Sequence, residues 1–300
     1  MGSSAGAETW ITDPGGEGFA HTYRVDELLY DGRSSLQRIR VIQNRDFGRM
    51  LILDDAVQTT ERDEFIYHEL LSHVPLCTHP APRRVLIIGG GDGGLLREAL
   101  RHPLGHATMV EIDRDVIDVT RRFIPTIPGS AFEDPRTRLL VADGIAFARD
   151  SAENFDVALV DSTDPKGPSL GLFSEPFYAD LARLLGANGV LAVQSGSPLY
   201  QQDVMAMVAR GMTPHFRWVR PYMGTVPTYP GVLWSFTIGS QGRDPAALDQ
   251  SELLIRMGGI DTRYYTPAAH RYLFAFPPFL AESAAASAAA GSSTGTSDSV

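Results

Sequence analysis

The chain has 300 residues, 43% hydrophobic and 21% charged, with a formal net charge of -10 at pH 7; such a length corresponds to about two domains with a sizeable core. No stretch approaches the roughly 20 apolar residues of a spanning helix, one cysteine, Cys77, rules out an internal disulfide, and the acidity disfavours nucleic acid while steering a cationic substrate inward. Only Lys166 among the 26 basic residues is a lysine, so there is no Gly-Lys-Ser/Thr phosphate loop, and pyridoxal-phosphate chemistry would have to use that one amine.

The N-terminus shows no basic region followed by an apolar stretch, and Gly6 stands where a myristoylation motif needs Ser or Thr; a cytoplasmic protein away from membranes is expected. From about Phe19 to Thr60 the pattern is strand-like. Leu36, Ile39, Val41 and Met50-Leu51-Ile52-Leu53 are broken by Asp31-Gly32, Asn44 and Gly48 at turn positions. Thr60 with Asp63 fits a capping box, and Ile66, Leu70 and Val74 then recur every fourth residue, so a helix is expected to start at Thr60. From Arg84 onward short apolar runs (85–88, 109–112, 139–141, 157–160, 190–193) alternate with helical stretches. That alternation predicts a mostly parallel sheet covered on both faces. The expected organisation is a small antiparallel β domain over 1–60 with flexible first residues, a Rossmann-like α/β domain over 61–280, and a disordered Ala/Ser/Gly tail over 281–300.

Ligands of such sheets sit beyond the C-terminal ends of the strands. The first strand is followed by Gly89-Gly90-Gly91-Asp92-Gly93-Gly94, in which Gly89, Gly91 and Gly94 fit the dinucleotide spacing, and Glu111 ends the next strand, where ribose hydroxyls are met. Asp92 would repel a pyrophosphate, so a sulfonium nucleoside of the S-adenosyl type fits better than a nicotinamide or flavin dinucleotide. Asp143-Gly144 follows the third strand at the depth of an adenine contact, although Asp143 equally suits a helix cap. The fourth strand ends in Asp161-Ser162-Thr163-Asp164-Pro165-Lys166-Gly167-Pro168, two carboxylates in a stiff loop. One carboxylate can anchor the distal ammonium of a diamine while the other takes the proton of the attacking amine; an Asx turn at Asp164-Pro165 is the plainer reading. His68, Glu69 and His73 have the spacing HExxxH, which puts the two histidines about 140° apart around a helix, so no metal is expected. Tyr67 and His68 can line the pocket or simply pack.

The segments VLIIGGGDGGLLREALRH (85–102), VEID (110–113), DSTDPKGP (161–168), VQTTERDEFIYHELLSHVP (57–75) and YYTPAAHRYLFAFPPF (264–279) together resemble the spermidine synthases, the polyamine aminopropyltransferases, over about residues 20–281. The resemblance implies a homodimer or homotetramer that moves an aminopropyl group from decarboxylated S-adenosylmethionine to putrescine. The products would be spermidine and methylthioadenosine, with the donor a co-substrate and no further cofactor. It implies Asp161 as the catalytic acid-base residue and Asp164 as a diamine ligand. Asp92 would hold the aminopropyl ammonium, Glu111 the ribose, Asp143 and Gly144 the adenine, and Gln37 another part of the nucleoside. Tyr67, His68, Gln194 and Tyr229 would line the polyamine channel, and Pro168 would close on the thioadenosine. The sequence departs from the family pattern at Gly231-Val232, where many bacterial members have Ser-Gly, at Gly196, where an acidic residue is common, and at Thr266 in place of Asn. Rival readings are an amine N-methyltransferase using intact S-adenosylmethionine, a non-catalytic polyamine-binding protein, and, from the glycine spacing alone, a nicotinamide oxidoreductase.

Overall fold

A computed structural model describes residues 9–280; the tail at 281–300 and the first residues, for which disorder and flexibility are expected, lie outside them. The described residues open with six strands: β1 (Thr9–Asp13), β2 (His21–Val25), β3 (Glu27–Arg33), β4 (Arg38–Asn44), β5 (Gly48–Leu53) and β6 (Ala56–Thr60). The first two pair as a separate antiparallel ribbon, and the other four form an antiparallel meander in chain order. The sequence reading began this region at Phe19 and so missed β1.

The turns differ in detail from the expectation. Asp31-Gly32 is no turn, because β3 runs through it with Asp31 opposite Arg40 and Gly32 opposite Ile39. The chain reverses instead at Ser34, whose hydroxyl accepts the N–H groups of Leu36 and Gln37, which puts Leu36 in the turn and not in a strand. Asn44 does close the next hairpin, accepting the N–H groups of Asp46 and Phe47 on its side-chain oxygen.

The helix expected from Thr60 begins later, as α1 (Glu64–Thr78). Thr60 ends β6 and donates its hydroxyl to Asp63 Oδ1 at 2.6 Å, while Asp63 Oδ2 accepts the N–H and hydroxyl of Thr228. A capping box would need that carboxylate turned back to the Thr60 amide; a tie to a segment far along the chain holds it instead. Every residue of α1 but Phe65 is buried. Its polar residues Glu64, His68, Glu69 and His73 therefore need partners inside the protein. Glu69 accepts the N–H groups of Arg263, Tyr264 and Tyr265 at 2.8–2.9 Å, pinning the late YYTP segment.

The remainder is a seven-stranded sheet. In chain order come β7 (Arg84–Gly89), α2 (Gly94–Ala99), β8 (His106–Glu111), α3 (Arg114–Phe123), β9 (Thr137–Val141), α4 (Gly144–Asp150), β10 (Phe155–Asp161), α5 (Glu175–Leu184), β11 (Leu185–Gln194) and α6 (Gln202–Met212). Two further strands, β12 (Trp218–Thr225) and β13 (Leu233–Ser240), and the short helices α7 (Gln250–Arg256) and α8 (His270–Leu273) complete it. The strand order is β12-β13-β11-β10-β7-β8-β9, parallel from β11 to β9 and antiparallel at β13 and β12. Apolar residues alternate between two cores. Val85, Ile87, Val157 and Leu159 pack with α1, whereas Leu86, Ile88, Ala158 and Val160 pack with α5 and α6. The expected α/β Rossmann-like fold with a small antiparallel sheet before it is what the chain adopts. The two antiparallel strands were not among the expected elements although Trp234, Phe236 and Ile238 alternate along β13, and Pro221 inside β12 is tolerated because that strand is the sheet edge. No helix among the described residues is long and apolar enough to cross a membrane.

Candidate active site

The strand order reverses between β7 and β10: the chain leaves β7 for β8 and β9 on one side and returns to β10 on the other. Such a reversal opens a crevice at the carboxyl ends of the two strands. Gly89 and Asp161 stand opposite each other at those ends. Gly89 has φ +82°, and a Cβ there would lie 2.0 Å from the Asp161 carbonyl oxygen, so only glycine fits this approach. The Gly90 N–H donates to the same carbonyl at 2.9 Å.

Above this point lies a cavity of about 930 Å³, walled by the large sheet, by Leu51, Leu53 and Gln58 of the small sheet, and by Asp13 to Phe19 between β1 and β2. Asp161 accepts the Tyr67 hydroxyl on Oδ1 at 2.7 Å. Burial raises the Asp161 carboxyl to about 6, helped by the Asp92 charge and opposed by the His68 charge and the Tyr67 hydrogen bond. Asp92 accepts the Gly94 N–H at 2.8 Å and faces His68 Nε2 at 3.4 Å. Burial pushes Asp92 up, but the His68 charge and hydrogen bond, with the Gly94 amide and Arg97, outweigh it and hold the carboxyl low. Two carboxylates in one cavity thus have opposite tendencies, one ionised and one poised to take a proton.

His68 is 2% exposed and its Nδ1 lies 2.7 Å from Glu64 Oε2. Burial works against its charge, yet Asp92 and Glu64 together lift it to about 10. One ligand atom from each of His68, Asp92 and Asp161 lies within 4.8 Å of the others. Nδ1 is committed to Glu64, and Nε2 is the ring nitrogen turned towards Asp92. Asp92 and Asp161 can accept the N–H groups of an organic cation. His73 points elsewhere, to His102 Nε2 at 2.9 Å and Glu98 at 3.2 Å, so the two histidines of HExxxH do not meet.

Glu111 lines the cavity from the end of β8 and accepts the Asp113 N–H on Oε1 at 2.8 Å. Burial, with the charges of Asp113 and Asp161, raises it to about 7 against the pull of backbone hydrogen bonds. Gln37 reaches the same region from the small sheet, donating to Asp113 Oδ2 at 2.9 Å. Asp143 caps α4 by accepting the Ile145 N–H and also lines the cavity with Gly144, so both readings of it hold at once. Asp164 lines the cavity and accepts Gln201 Nε2 at 2.9 Å. Gln194, 1% exposed, borders the cavity, but its amide is committed to backbone, donating to Ser162 O and accepting the Gly196 N–H. The Tyr229 ring stands edge-on to Tyr67 and Trp234 and its hydroxyl donates to Gln58 O at 2.6 Å. Pro168 belongs to the 3₁₀ segment Gly167–Phe173, and its side chain lies outside the described ones.

Four residues escaped the sequence reading. Asp13 is 4% exposed, borders the cavity and accepts the Val57 N–H; burial raises its carboxyl. Gln201 holds Asp164, and Arg97 holds Glu64. Only Glu64 had a usable signal, its place four residues before His68 on one helix face.

Residues 64–248 match the spermine/spermidine synthase domain and residues 9–61 the spermidine synthase tetramerisation domain. The chain is 44% identical over 276 residues to the polyamine aminopropyltransferase of Caldicellulosiruptor bescii, covering 92% of this chain and 98% of that one. To the Bacillus subtilis polyamine aminopropyltransferase it is 40% identical over 277 residues, covering 92% and 99%. Among solved structures it resembles a spermidine synthase in complex with the transition-state analogue AdoDATO (TM-score 0.88) and the Thermotoga maritima spermidine synthase (TM-score 0.87). Both are 35% identical, with 93% of this chain and 95% of the other covered.

Proposed function

The chain belongs to the spermine/spermidine synthase family, and from that premise we propose that it joins the aminopropyl group of decarboxylated S-adenosylmethionine to putrescine, with Asp161 as the base. The protein is an aminopropyltransferase, and its relatives do not favour the methyltransferase reading. The observation that carries the assignment of roles is the pairing of Asp92 and Asp161 across the glycine turn, one held ionised and the other raised to about 6.

The chemistry is a direct displacement. The neutral amine nitrogen attacks the methylene carbon bound to the sulfonium, the C–N bond forms as the C–S bond breaks, and the sulfur leaves as neutral methylthioadenosine. Near pH 7 an aliphatic amine is mostly protonated, so its proton must be taken as the nitrogen aligns about 3 Å from the carbon. Asp161 fits that task because its raised carboxyl is a better proton acceptor than an ordinary carboxylate. Asp92 would anchor the donor ammonium. Intact S-adenosylmethionine would bring a carboxylate against it in a partly water-excluded site, at a cost on the order of a few kcal/mol.

In this reading Glu111 holds the ribose hydroxyls, Asp143 and Gly144 the adenine, Gln37 supports the nucleoside through Asp113, and Pro168 covers the thioadenosine. Tyr67, His68, Asp164, Gln194 and Tyr229 shape the acceptor channel, Gln194 by holding the loop at Ser162. The reaction needs no resident cofactor. The match of residues 9–61 to a tetramerisation domain supports a homotetramer, and the one cysteine, buried and free, fits a cytoplasmic location. The test is mass-spectrometric turnover of putrescine with decarboxylated and intact S-adenosylmethionine in parallel. Spermidine and methylthioadenosine from the decarboxylated donor alone are expected; N-methylputrescine from the intact donor would overturn the reading.

A further inference from the structure

Behind Asp92 runs a chain of charges, buried at His68, Glu64 and Glu98 and reaching the surface at Arg101. His68 Nδ1 meets Glu64 Oε2 at 2.7 Å. Arg97 Nη2 donates to both oxygens of Glu64, at 3.0 and 2.8 Å, and to Glu98 Oε1 at 2.9 Å. Glu98 also accepts Arg101 at 2.8 Å and faces His73 Nε2 at 3.2 Å. A carboxylate only accepts hydrogen bonds, and Arg97 on both its oxygens keeps Glu64 a carboxylate, so His68 Nδ1 must carry a hydrogen. The other ring nitrogen faces Asp92 Oδ2 at 3.4 Å, and Asp92 already accepts the Gly94 N–H on its other oxygen; a bare nitrogen turned on a carboxylate oxygen would set two acceptors against each other, which favours a hydrogen on that nitrogen too. Gly94 lies so close that a Cβ there would stand 2.2 Å from His68 Cε1; the α2 backbone locks the ring between its two acids.

We propose that Glu64, clamped by Arg97, is a positioning residue that keeps His68 an imidazolium beside Asp92 and Asp161, supplying a fixed buried cation to the acidic cavity before either substrate arrives. The inference rests on the aminopropyl-transfer reading for its kinetic consequence alone. With Asp92 compensated from behind, Asp161 is the carboxylate left to receive the proton, and the nearby cation keeps it ionised to lower pH. The groups facing His68 are Glu64 and Tyr67 from α1, Asp92 from the turn after β7, and Asp161 from β10; Arg97 acts through Glu64 and Asp92. Burial alone would make the ring neutral, and the two carboxylates reverse that.

The test has two arms. In nitrogen-15 spectra of the free, full-length protein at pH 8, His68 is expected to show both ring nitrogens protonated, and Glu64→Gln to show a neutral ring. In pH profiles of kcat/KM, Glu64→Gln and His68→Gln are each expected to move the acid limb up by about one pH unit, because a cation near Asp161 has been lost. The double variant should move it no further than either alone. A neutral His68 in the native chain, or an acid limb unmoved in both variants, would overturn the proposal. Should Glu64→Gln fail to fold, the native ring spectrum and the His68→Gln profile decide it. Absence of turnover in the native protein would count against aminopropyl transfer, and the ring spectrum would still decide the protonation of His68.

Discussion

The two ends of the cavity are assembled differently. At one end Gly89 to Asp92, Glu111, and Asp143 with Gly144 follow three successive parallel strands, each residue within a few positions of a strand end. At the other, Tyr67 from α1, Gln194 from β11, Gln201 before α6 and Tyr229 from a loop before β13 meet across long separations; the Tyr229 hydroxyl reaches Gln58, 171 residues away. The first end inherits its geometry from the sheet. The second depends on loops, and there the backbone carries strain: Val232 has φ +66°, a conformation a β-branched residue rarely adopts. A tight hydrogen-bonded turn, Tyr229 N to Val226 O and Val232 N to Tyr229 O, holds Val232 there and sets the Tyr229 ring.

This contrast predicts which substitutions act on chemistry, on nucleoside binding and on acceptor fit. The largest effect is expected at the junction of the two ends, where Asp161→Asn should lower kcat by about 10² or more by removing the base. Calorimetric affinity for methylthioadenosine should stay near native, and native turnover would remove Asp161 from the role of base. Asp92→Asn should narrow the preference for decarboxylated over intact S-adenosylmethionine by about tenfold, read from competing kcat/KM values. An unchanged ratio would sink the like-charge account of donor selection.

Glu111 sharpens the sheet-built end. Its folded carboxyl, at about 7, lies above the usual 4.5, so the folded state holds a proton that the unfolded chain has released; stability is lost as pH rises from 4.5 through 7. Glu111→Gln should therefore raise the unfolding free energy at pH 8 by about 2 kcal/mol while weakening nucleoside binding, and a variant less stable at pH 8 would contradict the shift. The smallest effect belongs to the loop-built end. Val232→Gly relieves the strained φ and should add about 0.5–1 kcal/mol net of the extra freedom of glycine in the unfolded chain. It should alter KM for putrescine more than affinity for methylthioadenosine; the reverse pattern would mean that the loop does not shape the acceptor side.

Legibility followed the same division. The parallel strands showed as doubly apolar runs because both their faces are covered, and the residues after each run bordered the cavity for the same reason. β12 and β13 lack the continuous apolar runs of the parallel strands: Pro221 interrupts β12, and β13 alternates Trp234, Phe236 and Ile238 with Ser235 and Thr237. α1 displayed a four-residue period, yet it is buried on every side, and what its histidines do could not be read from their spacing. His68 and His73 share a helix; one faces the cavity and the other a buried His102–Glu98 pair. Asp13 and Gln201 had no local signature, since each matters only through a cavity wall formed by segments far from it in the chain.

Local pattern was enough to specify the α/β class, the glycine turn, and the carboxylates at the strand ends, because strand periodicity and strand-end chemistry are short-range properties of neighbouring residues. The charge of His68, the split between Asp92 and Asp161, and the strained turn under Tyr229 were decided by folding. They arise from burial and from groups brought together across the chain, and an electrostatic environment of that kind exists only once the cavity has closed around it.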